Sequence, residues 1–193
     1  YPGLFTFAGS LGNDTLVGCL GADVLSGGAG RDQANYWDCA KAVRVDLAYL
    51  ATNTADAAGD ILINVEDVAG SAFDDILAGD GSANLMQGRE GNDNLAGRFG
   101  NDTLEGGSGN DTLTGGLGAD RLDGEAGRDQ ASYWDAGAGV TVDFMAPASN
   151  AGDAAGEITA RSWETAREAF ADRLEAILRR HIRNFDQIKI VRR

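Results

Sequence analysis

Gly88-Arg89-Glu90-Gly91-Asn92-Asp93-Asn94-Leu95-Ala96 runs directly into Gly97-Arg98-Phe99-Gly100-Asn101-Asp102-Thr103-Leu104-Glu105. Both nonapeptides carry glycine at positions one and four, aspartate at six and leucine at eight. Working outward, the chain can be cut every nine residues without a gap over 70–132, and again over 9–35, giving ten units in one frame. Column one is glycine in every unit, and column six is aspartate in all but one, where Asn84 stands. Column eight reads Leu16, Leu25, Leu77, Met86, Leu95, Leu104, Leu113 and Leu122, with alanine in the last unit of each array. One apolar residue in nine cannot make a helical stripe. It suits a very short strand whose single inward side chain stacks on the same column of neighbouring turns.

A longer period overlies the short one. Gly12-Asn13-Asp14-Thr15-Leu16 returns 97 residues later as Gly109-Asn110-Asp111-Thr112-Leu113, and Tyr36-Trp37-Asp38 returns as Tyr133-Trp134-Asp135. The segments between arrays alternate apolar and polar residues, as in Val43-Arg44-Val45-Asp46 and Val140-Thr141-Val142-Asp143, which predicts half-buried strands. Ile61 to Gly70 offers a further short strand, so these segments are expected to continue the stack with irregular turns. Trp37 and Trp134 are expected to plug the core at the transitions.

Composition divides the chain differently. All 28 glycines fall before residue 157, and up to Gly156 there are 24 acidic residues against 7 basic ones. From Glu157 onward 6 acidic residues face 9 basic ones. An acidic excess of that size repels itself in a compact fold and repels nucleic acid, so cations are the first partners to expect. No apolar run approaches a membrane span. The chain begins with Tyr1 and shows no charged-then-apolar leader, as expected of a fragment or a processed product. Cys19 and Cys39 fit either two structural thiols or a disulfide, and their spacing does not choose.

Glycines at columns one, two and four let the backbone turn tightly and present carbonyl oxygens on one side. Carbonyls and carboxylates are the oxygen ligands that calcium accepts in flexible geometry. A lone column-six aspartate would be read as an Asx-turn residue. Ladders of them are different, because stacked turns bring like charges together and repulsion opens the roll unless cations intervene.

The pattern Gly-Gly-x-Gly-x-Asp-x-apolar-x resembles the repeats-in-toxin (RTX, haemolysin-type) calcium-binding family over roughly residues 9 to 160. The resemblance implies an all-β, right-handed parallel β-roll (a β-solenoid) in which two nonapeptides complete one turn and several calcium ions sit between stacked turns. Column-six residues eighteen apart would then share an ion: Asp93 with Asp111, Asp102 with Asp120, Asp111 with Asp129, and Asp14 with Asp32. Carbonyls of Gly91, Gly100, Gly107, Gly109, Gly116 and Gly118 would join them. Asp75 belongs to the same column, but Phe73 replaces its glycine and Ser82 does so before the neutral Asn84. The Asp75/Asp93 and Asn84/Asp102 sites are therefore expected to be weak or empty. Asp23 would need a partner at position 41, which is Lys41, and so should lack one.

The expected organisation is a β-roll over 1–161, with arrays 9–35 and 70–132 and irregular strand segments 36–69 and 133–161, followed by a helical tail over 162–193. Phe170, Leu174, Ile177, Leu178, Ile182 and Phe185 follow helical spacing and predict an amphipathic helix over 162–185 that caps the open roll, with His181 packing at its boundary. An export signal like those of secreted family members, or a basic surface for an acidic partner, are its alternatives. With one histidine there is no H-E-x-x-H site, and no serine sits in a G-x-S-x-G elbow, so the chain is not expected to be an enzyme itself. The resemblance implies a secreted, extracellular module that folds on calcium. The alternatives are an accessory region of a secreted enzyme, with a fused catalytic domain, or a calcium-dependent polysaccharide-binding adhesin.

Overall fold

The computed structural model describes residues 4–132. The predicted strand at 140–144, Trp134, His181 and the C-terminal helix lie outside them. Fourteen short strands follow one another: β1 (Thr6–Ala8), β2 (Thr15–Val17), β3 (Val24–Ser26), β4 (Gln33–Asn35), β5 (Arg44–Asp46), β6 (Ile61–Ile63), β7 (Asp67–Ala69), β8 (Ile76–Ala78), β9 (Leu85–Glu90), β10 (Asn94–Phe99), β11 (Thr103–Gly109), β12 (Thr112–Leu117), β13 (Arg121–Gly127) and β14 (Gln130–Ser132). Every strand pairing is parallel, and the chain is a parallel β-solenoid. One face is a continuous six-stranded sheet, β2-β4-β7-β9-β11-β13. The other face is shared by β1-β3-β6 and β5-β8-β10-β12-β14.

The nonapeptide dictates this register. Within an array, residues eighteen apart face each other, as in Leu95↔Leu113 and Leu104↔Leu122. Column eight thus becomes the core: Leu77, Met86, Leu95 and Leu104 are 0% exposed and Leu113 is 2% exposed. The residue before each column-eight position in the arrays is exposed or half-buried, while Asn35, Ala78 and Thr114 on the other side are buried.

The interruption continues the stack, as its alternating residues predict. β4 pairs with β7, 34 residues on, and β3 pairs with β6, 37 residues on. The oversized turn between β4 and β7 therefore supplies a last strand to one sheet (β6) and a first strand to the next (β5). Val43, Val45, Ala57 and Val65 fill its interior. Trp37 does not: it is 54% exposed, and Tyr36 is the buried aromatic instead. Trp37 stands in the turn that follows β4, whereas the tyrosine hydroxyl has a partner inside, donating to Asp60 Oδ2 at 2.8 Å. Cys19 and Cys39 form a disulfide, Cα–Cα 5.6 Å, which ties the first array to the interruption.

Two arginines secure the same region. Arg98 stands at column two with φ of 80°, a left-handed conformation that costs a side chain roughly 1–2 kcal/mol. Its guanidinium offsets this by donating to both oxygens of the buried Asp46, at 2.6 and 2.8 Å, and to the carbonyl of Gly79 at 2.6 Å. It also lies 5.2 Å from the centroid of the Tyr49 ring. Arg31 likewise grips Asp67 with two bonds, of 2.7 and 2.9 Å.

Because each column-eight side chain is enclosed by its neighbours above and below, removing one leaves a cavity that the short strands cannot collapse to fill. Leu104→Ala should lower the stability of the calcium-loaded protein in urea titrations by about 2–5 kcal/mol. Phe99→Ala, at a position 59% exposed, should change it by no more than about 0.5 kcal/mol.

Candidate metal centres

Turns link successive strands of each array, and their side-chain arrangement repeats. The column-six amide donates to Oδ1 of the column-six carboxylate one turn later: Asp75 to Asp93 (2.7 Å), Asp93 to Asp111 (2.8 Å) and Asp111 to Asp129 (3.0 Å) along one edge. Along the other edge Asp14 donates to Asp32 (2.7 Å), Asn84 to Asp102 (2.8 Å) and Asp102 to Asp120 (2.9 Å). All eight column-six aspartates expected to serve as ligands therefore lie in stacked rows, at the turns that link the faces of the roll.

At Asp32, Asp93, Asp102 and Asp111 one oxygen is thus engaged with the backbone, and the other is buried. Oδ2 of Asp32, Asp93, Asp102 and Asp111 is buried without a hydrogen-bond partner, although these residues are at most 2% exposed. Column one explains where that oxygen lies. A Cβ added to Gly88 would strike Asp93 Oδ2 and the carbonyl oxygen of Gly106 together, and one added to Gly97 would strike Asp102 Oδ2 and the carbonyl of Gly115. Carboxylate and carbonyl oxygens converge on a space that only glycine leaves open. Oxygens of like polarity held together out of water are stable only if a cation or a proton joins them. The donor set fits calcium.

The six glycines singled out in the sequence lie in these turns or in the strand ends that lead into them, at φ between 103° and 145°. Gly109 shows why the residue is needed. At φ of 142° a side chain would be strained, and its Cβ would overlap the carbonyl oxygen of Gly91 one turn earlier. Gly91 in turn lies over the carbonyl of Phe73, so these carbonyls stack along the edge as the carboxylates do.

The irregular units differ in the way their substitutions suggest. Asp75 uses its carboxylate fully: Oδ1 accepts the Val43 amide at 2.7 Å, and Oδ2 accepts the amide and hydroxyl of Ser71. Asn84 places its Nδ2 2.6 Å from the carbonyl of Glu66, so an amide donor meets the oxygen that a cation would otherwise meet. Asp23 has no partner eighteen residues on, but its amide donates to Oδ1 of Asp60 at 2.7 Å, which takes that place from within the interruption. Nothing in the repeat pattern marks Asp60.

A second ladder went unread in the sequence. The column-five amide donates to the column-five side-chain oxygen one turn earlier: Asn92 to Asp74 (2.7 Å), Asn110 to Asn92 (2.9 Å), Arg128 to Asn110 (3.0 Å) and Ala119 to Asn101 (2.9 Å). The signal was present in the recurring Gly-Asn-Asp triplets. The two ladders run in opposite senses and together fix the spacing of successive turns. Near the disulfide, Cys19, Cys39 and Asp38 bring possible ligand atoms within 4.8 Å of one another, but the disulfide consumes both sulfurs.

Burial pushes the carboxyl of Asp93 up to about 7, helped by the charges of Asp75, Asp111 and Asp74, and against the pull of the Asp75 amide. Burial takes Asp102 to about 6, helped by the charge of Asp120. Asp60, Asp75, Asp111 and Asp129 are raised for the same first reason. Asp46 alone moves the other way: burial pushes it up, but the Arg98 guanidinium and the amides of Tyr49 and Ala48 hold it below the usual carboxylate range.

The class defined by these features is a parallel β-solenoid with rows of buried oxygen ligands at its turns. The family model of the RTX calcium-binding nonapeptide repeat, which comprises 4 copies, matches residues 6–34, 69–104 and 97–131. The chain carries RTX calcium-binding nonapeptide repeats, and calcium is the ion that this family implies. No curated protein matches the chain. Among the described residues no helix is long and apolar enough to cross a membrane.

The raised carboxyls set the pH response of the metal-free chain. An acid raised from about 3.8 to about 7 on folding takes up a proton as the chain folds, so the fold is favoured in acid and loses stability as pH rises through that window. The strand signal of the metal-free protein in circular dichroism should therefore grow as pH is lowered from about 7.5 to about 4.5. Calcium should reverse the trend, because protons compete with the ion for the same oxygens.

Proposed function

We propose that this chain is a calcium-dependent folding module of a secreted protein, in which ions bridge successive turns of a right-handed β-roll. The observation that carries the reading is the row of buried Oδ2 atoms without hydrogen-bond partners at Asp93, Asp102 and Asp111. The residues that would hold the ions are the pairs Asp93/Asp111, Asp102/Asp120, Asp111/Asp129 and Asp14/Asp32. Carbonyl oxygens of Gly91, Gly100, Gly107, Gly109, Gly116 and Gly118 would join them. Calcium supplies positive charge where carboxylates would otherwise repel. The protein's own part is to hold each carboxylate by one oxygen on a backbone amide, so that the other already faces the ion.

The neutral Asn84 and the saturated Asp75 leave the Asn84/Asp102 and Asp75/Asp93 positions weak. The net charge of −14 makes the unloaded roll repel itself, so ion binding and folding occur as one event. Affinity on the order of 10⁻⁴ to 10⁻³ M suits extracellular calcium, and the chain would stay loose before export.

Addition of about 2 mM calcium, within the range of extracellular modules, should convert a disordered far-UV spectrum into that of a β-protein. Identical spectra with calcium and with chelator rule the function out. Asp111→Asn keeps the acceptor for the Asp93 amide but removes charge from two adjacent positions. Its calcium midpoint should rise on the order of tenfold, as expected for about 1.4 kcal/mol of lost charged ligation. Glu90→Gln, exposed and outside the rows, should leave the midpoint unchanged.

A further inference from the structure

The second-edge row does not stop where the first array ends. β6 passes into β7 through Asn64, Val65 and Glu66, three residues where the array turn from β8 to β9 uses six. These three nonetheless reproduce the array's contacts. The Asp67 amide donates to the carbonyl of Asp32 at 3.0 Å, as the Gln33 amide does to that of Asp14 at 2.9 Å. The Asp32 amide donates to Glu66 Oε2 at 2.9 Å, as the Asp14 amide does to Asp32 Oδ1 at 2.7 Å. Asn64, at φ of 51°, turns its carbonyl to the place that the column-one glycine occupies elsewhere. A Cβ on Gly27 would meet that carbonyl and Asp32 Oδ2 together, just as one on Gly88 would meet the Gly106 carbonyl and Asp93 Oδ2. Glutamate's additional methylene makes up the reach that the shortened turn loses.

Neighbouring acids alone would not define a ligand site. The independent observation is Asp32 itself, 0% exposed, whose Oδ2 has no hydrogen-bond partner and faces the Asn64 carbonyl. Arg31 does not neutralise that oxygen, because its guanidinium is turned to Asp67 by two hydrogen bonds of 2.7 and 2.9 Å. A buried anionic oxygen beside a carbonyl oxygen is costly unless a cation meets both.

We propose that Asp32, Glu66 and the Asn64 carbonyl form an additional calcium site that bridges the first array to the second across the interruption. Two carboxylates and a carbonyl are hard oxygen donors, suited to calcium and not to a thiolate-seeking metal. Neither Asn64 nor Glu66 belongs to a nonapeptide, and the family match ends at residue 34 and resumes at 69. The site rests on the calcium-binding function proposed above, and it makes the two arrays one ion-linked body.

Native mass spectrometry of the full chain in saturating calcium counts the ions. Glu66→Gln keeps an oxygen for the Asp32 amide and removes the charge, so it should carry one ion fewer than wild type, while Glu90→Gln keeps the full count. Equal counts in Glu66→Gln and wild type overturn the bridging site. A wild-type chain that takes up no calcium removes instead the function on which the site rests. Should Glu66→Gln lose its strand signal in calcium, Glu66→Asp decides: it keeps the charge but lacks the reach, and it too should lose one ion. A full count there overturns the proposal.

Discussion

The structure depends on a division of labour within each column-six carboxylate. One oxygen accepts a backbone amide from the preceding turn, and that bond sets the side chain's direction and the rise between turns. At Asp32, Asp93, Asp102 and Asp111 the second oxygen is then fixed in a buried position without a hydrogen-bond partner. Two features of the unit accompany that geometry: glycine at column one, because any side chain would fill the space, and the column-eight residue as the apolar core side chain of each unit.

The interruption solves a different problem, which is to carry a two-sided stack across a change of sheet. A turn of nearly double length contributes one strand to each neighbouring sheet, and its contacts do not wait for an ion. Arg98 on Asp46, Arg31 on Asp67, the Tyr36 hydroxyl on Asp60 and the disulfide all join residues far apart in sequence. Ion pairs with one buried partner are weak sources of net stability, but they are strong selectors of a single arrangement when both hydrogen bonds of the guanidinium are satisfied.

Much of this was legible from period alone. Ten units in one frame mark the core column and the recurring aspartates, because a strict nine-residue repeat leaves each column one environment, while the eighteen-residue register came from the family resemblance. The irregular units were legible too: Asn84 and Ser82 break the pattern visibly, and Asn84 turns an amide donor to the Glu66 carbonyl where its neighbours in the column carry carboxylates. What failed was reading where no period exists. A large aromatic favours the core, yet Trp37 stands in the turn after β4 and is exposed, and Tyr36 is buried in its place. Asp60 and Glu66 stand in for column-six residues from 37 and 34 residues away, a relationship that only the closed stack reveals. The cysteine pair was undecided for the same reason, since its closeness depends on how the large turn folds back.

Asn84 has a consequence for how the molecule comes together. Its side-chain amide joins one turn to the next with no ion between them, and it does so beside the two arginine clamps, so the middle of the described residues is held by contacts that include no cation. A solenoid whose turns touch only their neighbours grows from whichever turn orders first. Assembly therefore resembles a zipper with its slider in the centre, closing outward in both directions, and hydrogen exchange would read that polarity as protection that decays from residues 60–85 towards either end.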